Sequence, residues 1–162
     1  IGNLQESMQE EQEVLKRWER KEVSETLAQN GLELKPKKGK DYSSKQGSLW
    51  HRITFAAINL HNVRLWKKLK GDFYYSPGAG MAAVKSMPQT WDFTKALGHL
   101  DFPVYVIHGD DDFFPVEKQK EWIGKTQNVV LKIVKNAGHV SWIDQPVQVE
   151  SLIYEYLDKI KK

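Results

Sequence analysis

Three consecutive aspartates, Asp110, Asp111 and Asp112, and one histidine, His139, are the residues whose surroundings suggest chemistry. The aspartates follow an apolar run, Pro103-Val-Tyr-Val-Ile107, that breaks at His108-Gly109. The histidine follows a β-branched run, Val129-Val-Leu-Lys-Ile-Val134, that breaks at Asn136-Ala-Gly138. A titratable residue just past a glycine turn at the end of a strand is how α/β proteins place chemistry at the carboxyl ends of parallel strands. An acid followed by a histidine supplies the parts of a hydrolytic relay, in which the imidazole carries a proton and the carboxylate orients it. Other readings stay open. Adjacent aspartates also make a solvated turn or a hard-cation site, although calcium loops interleave glycine and further oxygen ligands that are missing here. A histidine in this place can equally be a buried one satisfied by the backbone.

These residues need elements to hold them. The two runs predict strands over 103–107 and 129–134, joined by a crossover helix at 115–125 with Trp122 and Ile123 on its inner side. A short helix at 94–100 leads into the first strand. Asp144 stands where an N-cap would, and Pro146 near the first helical position of a closing helix. Val149, Leu152, Ile153, Tyr156, Leu157 and Ile160 give that helix an apolar stripe. Lys159, Lys161 and Lys162 suit the negative end of its dipole.

Upstream the texture changes. Residues 3–29 are polar with a narrow apolar stripe (Leu4, Met8, Leu15, Trp18, Val23, Leu27), which predicts one surface helix stopped at Asn30-Gly31. The heptad pattern fails at Glu11 and Glu22, against a coiled coil. Residues 35–47 read as a lysine-rich solvated loop, and 48–70 as a more buried helix with Ser48 as its N-cap. His51 and His61 fall on nearly one face of that helix, almost three turns apart and too far for a shared metal. Residues 71–90 read as turn-rich.

The segments HGDDDFFP and NAGHVSWIDQP resemble the last two catalytic loops of the α/β-hydrolase superfamily, which carry Gly-x-x-Asp after the penultimate strand and Gly-His after the last. Gly109 and Asp112 fit the first, Gly138 and His139 the second, and the likeness runs over about 91–162. The resemblance implies an α/β fold in partial form: a helical cap or lid segment at 1–90, then the last two parallel strands and flanking helices of the core at 91–162. It makes Asp112 the acid in preference to Asp111 and Asp110, and His139 the base that takes the nucleophile's proton and returns it to the leaving group. His108 is expected to be structural, near the pocket, and His99 carries no signal. The cap helices and the Pro103-Val-Tyr lead-in are similar to those of the proline iminopeptidase group.

The superfamily's nucleophile, a serine in Gly-x-Ser-x-Gly between a strand and a helix, has no counterpart. Ser76 has only the second glycine and is followed by Pro77, which lacks the N–H that the oxyanion needs. Ser48 lacks the following glycine. Chain order in the superfamily is serine, acid, histidine, so the serine is expected upstream of Ile1, and the start without methionine points to a processed or truncated chain. The contrasting expectation is a non-catalytic module that pairs through an exposed strand edge.

Composition bounds the rest. The 162 residues are enough for one domain with a core, and the absence of cysteine excludes disulfide and thiolate chemistry. A formal charge of +3 does not argue for a nucleic-acid partner. No window reaches the roughly 20 apolar residues of a membrane span, and no targeting segment is visible, which makes the cytoplasm the expectation. No cofactor or metal is expected. The expected partners are a small-molecule or peptide substrate and, by edge pairing, a preceding part of the fold or a second copy.

Overall fold

The computed structural model describes residues 2–3, 13–35, 43–71, 77–88, 90–92 and 94–161. In order these form β1 (Gly2–Asn3), a helix α1 at 13–18, α2 (Lys21–Gln29), α3 (Ser44–Asn59), a 3-10 helix (Val63–Lys68) and α4 (Pro77–Ser86). Then come β2 (Thr90–Trp91), α5 (Thr94–Leu97), β3 (Val104–Gly109), α6 (Val116–Ile123), β4 (Val129–Val134), α7 (Ser141–Asp144) and α8 (Pro146–Ile160). The architecture is α/β: helices with a pair of parallel strands.

The β3 and β4 strands pair in parallel through six register positions, from Val104 opposite Val129 to Gly109 opposite Val134. Both runs are rich in β-branched and aromatic residues, which fit a pleated, half-buried surface. The crossover between them contains α6, on which Trp122 and Ile123 are half-buried. Over the sheet, Val134, Ala137 and Val149 form a small core with Ile107 and Leu152. Only part of the predicted stripe on α8 is covered: Ile153, Leu157 and Ile160 are exposed.

A second, larger core gathers the helices. Val23 and Leu27 from α2, Leu32, Ile53, Ala56 and Ala57 from α3, and Leu60, Val63, Trp66 and Leu69 beyond it pack together. Leu27, Ile53 and Leu60 are wholly buried, each worth about 1.5–3 kcal/mol in apolar transfer. Trp18 and Trp50 meet edge to face at 6.0 Å, and their ring N–H groups donate to Thr54 O (3.1 Å) and Glu33 O (3.0 Å). Val140, from the loop after β4, belongs to this helical core.

Several predicted boundaries move. The expected single helix at 3–29 breaks at Glu19-Arg20, where Arg20 takes an extended conformation; residues 4–12 lie outside the described residues. The break has a use, because the Arg20 guanidinium donates to the carbonyls of Ala57, Leu60 (3.3 Å) and His61 (3.4 Å), closing off the end of α3. The predicted helix 48–70 starts earlier and ends sooner. Ser43, not Ser48, is its cap, in a reciprocal box with Gln46: Gln46 N donates to Ser43 Oγ (3.3 Å) and Ser43 N to Gln46 Oε1 (3.2 Å). Leu60 turns extended, so His61 lies beyond the helix rather than on the face that carries His51. Residues 77–86 of the expected turn-rich stretch are helical, whereas the lysine-rich 36–42 and the serine at 76 lie outside the described residues. The Asn30-Gly31 stop is as read, with Gly31 at φ 70°. Among the described residues no helix is long and apolar enough to cross a membrane.

Candidate active site

The loops leaving β3 and β4 are stitched together before either reaches its titratable residue. Asp110 N donates to Val134 O (3.0 Å) and Asp111 N to Ala137 O (2.9 Å). Gly109 permits this approach, since a Cβ there would stand 2.1 Å from Ala137 O. The turn after β4 passes through Asn136 at φ 54°, a left-handed conformation that asparagine tolerates better than most residues. The two loops therefore emerge side by side, and Asp112 and His139 meet.

Asp112 Oδ2 lies 2.9 Å from His139 Nδ1 and Oδ1 3.2 Å from it. The carboxylate is almost fully buried, with 2% of its side chain exposed, while the imidazole is 52% exposed. Phe114 N donates to Asp112 Oδ1 (3.0 Å), fixing the carboxylate from behind. The hydrogen bond that His139 donates to Asp112 raises the His139 pKa above its ordinary value, against an opposing effect of partial burial. With Nδ1 held as the donor to the acid, Nε2 is the nitrogen left to accept a proton. The Phe113 ring packs against His139 with centroids 4.9 Å apart. Geometrically this is an oriented imidazole backed by a buried carboxylate.

The neighbouring aspartates do other things. Asp110 pairs with Lys135 (3.4 Å) and receives Ala137 N (3.4 Å). Asp111 accepts from Arg17 Nη2 (3.2 Å) and lies 2.9 Å from His61 Nδ1. His108 is buried beside the site: its Nε2–H donates to Phe114 O (2.9 Å), and its Nδ1 stands 3.4 Å from Asp112 Oδ2. His99 is exposed. Among the described residues no group of three or more His, Cys, Asp or Glu could hold a metal ion. A cleft of about 560 Å³ opens against Asp112, with Arg17, Phe113, Val116 and Lys120 in its walls.

Three residues that the sequence did not point to as site residues belong to this neighbourhood. Arg17 and His61 reach Asp111 across 94 and 50 residues of chain. Asp144 does not cap α8; Gln145 stands at that position, without a side-chain cap bond. Instead Asp144 Oδ2 accepts from Gly138 N (2.9 Å) and His61 N (2.8 Å), and Oδ1 from Asn62 N (3.1 Å). Of the two serines weighed as nucleophile, Ser48 is buried inside α3.

No protein-family model matches the chain, and no curated protein matches it. Among solved structures, a thermophilic esterase from Thermogutta terrifontis, with malate bound, is similar at a TM-score of 0.55 and 18% identity. The likeness covers 90% of this chain and 51% of that one, so the chain spans about half the length of the esterase. At that identity what the two share is the fold.

Proposed function

We propose that Asp112 and His139 are the acid and base of an α/β-hydrolase relay that cleaves an ester, amide or peptide bond through a covalent acyl intermediate. The observation that carries this reading is the 2.9 Å contact between a buried carboxylate and His139 Nδ1, made where two paired parallel strands end. His139 Nε2 takes the proton of an attacking hydroxyl and delivers it to the leaving group, while Asp112 holds the tautomer and stabilises the imidazolium. The esterase likeness in fold supports the class. The nucleophile is assigned to residues preceding Ile1, so the 162-residue chain by itself is expected to be inert. Within the class, a proline iminopeptidase-like activity is the finer reading, resting on the polar helices 13–29 and the strand lead-in.

The test has two parts. A serine-directed phosphonate should leave the 162-residue chain unlabelled, and the gene upstream of Ile1 should encode a strand, Gly-x-Ser-x-Gly and a helix. In the longer chain His139→Ala should lower kcat by about 10⁴ or more, judged from triad deletions elsewhere. Undiminished turnover in that variant would remove His139 from the mechanism. Proline-specific aminopeptidase and short-chain ester substrates then separate the subgroups.

One observation favours a second reading. Among the described residues the sheet has only β3 and β4, so each strand has an open edge, and Phe102 and Val130 are exposed apolar residues near it. A non-catalytic module pairing through such an edge would self-associate or bind a strand-donating partner. Sedimentation of the chain as a monomer at tens of micromolar would count against the self-association form.

A further inference from the structure

Taking His139 as the base proposed above, we infer that Asp144 is a positioning residue that couples His139 to the helical half of the molecule through segment 59–62. The residues on both sides of His139 are pinned to that segment. On one side, Gly138 N and His61 N donate to the same oxygen, Asp144 Oδ2, at 2.9 and 2.8 Å. On the other, Val140 N donates to Asn59 O (3.0 Å), and the Val140 side chain is buried in the helical core. Between them Gly138 lies so close to the segment that a Cβ would stand 2.6 Å from Asn59 O and 3.0 Å from His61 N. His139 has no slack of its own, because the residues before and after it move with 59–62.

The acid is held from the same quarter. Asp111, bonded through the chain to Asp112, is gripped by Arg17 from α1 and by His61, one residue beyond the Leu60 turn. The carboxylates of Asp111 and Asp144 thus form two clamps on His61, one at its ring and one at its backbone N–H. A shift of the helical half would displace the flanks of both relay members together. Asp144 makes no hydrogen bond to His139; it works through the Gly138 N–H.

The experiment follows the His139 ring by NMR in the full 162-residue chain, for wild type, Asp144→Ala and Asp144→Asn. In wild type the imidazole should titrate above its ordinary value, as its bond to Asp112 requires. In Asp144→Ala that elevation should be lost. Asparagine keeps one carbonyl oxygen for the Gly138 and His61 donors and should restore most of it. A folded Asp144→Ala whose His139 titrates like wild type overturns the coupling, whatever its loss of stability. Should that variant not fold, amide exchange in wild type decides: Gly138, Val140, His61 and Asn62 should open together as one unit. Gly138 exchanging like a free loop amide while His61 stays protected overturns it equally. Neither readout requires turnover, so a failed hydrolase assignment and a failed coupling are told apart.

Discussion

Replacing Gly109 by alanine is the sharpest perturbation of the site that leaves every polar group in place. The new Cβ would stand 2.1 Å from Ala137 O, 2.3 Å from Gly138 O and 2.6 Å from Ala137 C. Ordinary carbon–oxygen contacts begin at about 3.3 Å, so something must move by about 1 Å. All three atoms are backbone, and Ala137 is wholly buried, so no side-chain rotation relieves the clash. Overpacking that side chains can absorb costs about 1–3 kcal/mol, which makes about 3 kcal/mol the expected lower bound here. That is a large part of the 5–15 kcal/mol typical of a domain's stability. The internal control is Gly47→Ala in the first turns of α3, where nothing lies within 4 Å of the added carbon. It should gain up to about 1 kcal/mol from helix propensity. Urea unfolding followed by tryptophan fluorescence measures both. Gly109→Ala within about 0.5 kcal/mol of wild type, or no more costly than Gly47→Ala, would refute the steric account of how the two loops are held together.

Three further outcomes follow from the same geometry. Because folding raises the His139 pKa, the protonated imidazole stabilises the fold; that contribution is complete below about pH 6.5 and is lost as pH rises through the raised folded value. Asp112→Asn should return the imidazole to its ordinary range and flatten this part of the stability–pH profile, both readable by NMR titration and urea melts. Ile53→Ala, at a wholly buried position of the helical core, should cost about 2–5 kcal/mol in the same melts, and a smaller loss would mean the site collapses around the gap. Ser43→Ala removes the side-chain half of the α3 capping box and should cost about 1 kcal/mol, whereas an unchanged midpoint would return the cap to water.

What could be read from the sequence was local. Residues 129–134 gave a strand by their β-branched run alone, and the glycines at 109 and 138 marked the turns that bring Asp112 and His139 together. What escaped were groups whose meaning depends on distant chain. Asp144 looked like a helix cap because it precedes Pro146, yet its oxygens serve N–H groups at 61, 62 and 138. Ser48 looked like a cap at the start of the predicted helix 48–70, but the Ser43–Gln46 box lies upstream of it. The α8 stripe was regular, but periodicity does not say how much of a face has a neighbour: Val149 is covered and Ile160 is not. Arg20 broke a helix that its own propensity would have continued, because its guanidinium closes the end of α3.

The in-step pairing of β3 with β4 makes the sheet a ruler for the chemistry. With Gly109 opposite Val134, Asp112 stands three residues and His139 five past a common starting line. Sliding one strand by a single residue would offset those starting points by about 3.3 Å and turn every side chain on it to the opposite face. That displacement exceeds the 2.9 Å hydrogen bond it would have to preserve. Mutations at the far end of the paired strands, around Val104 and Val129, can therefore switch the acid–imidazole contact off without touching it.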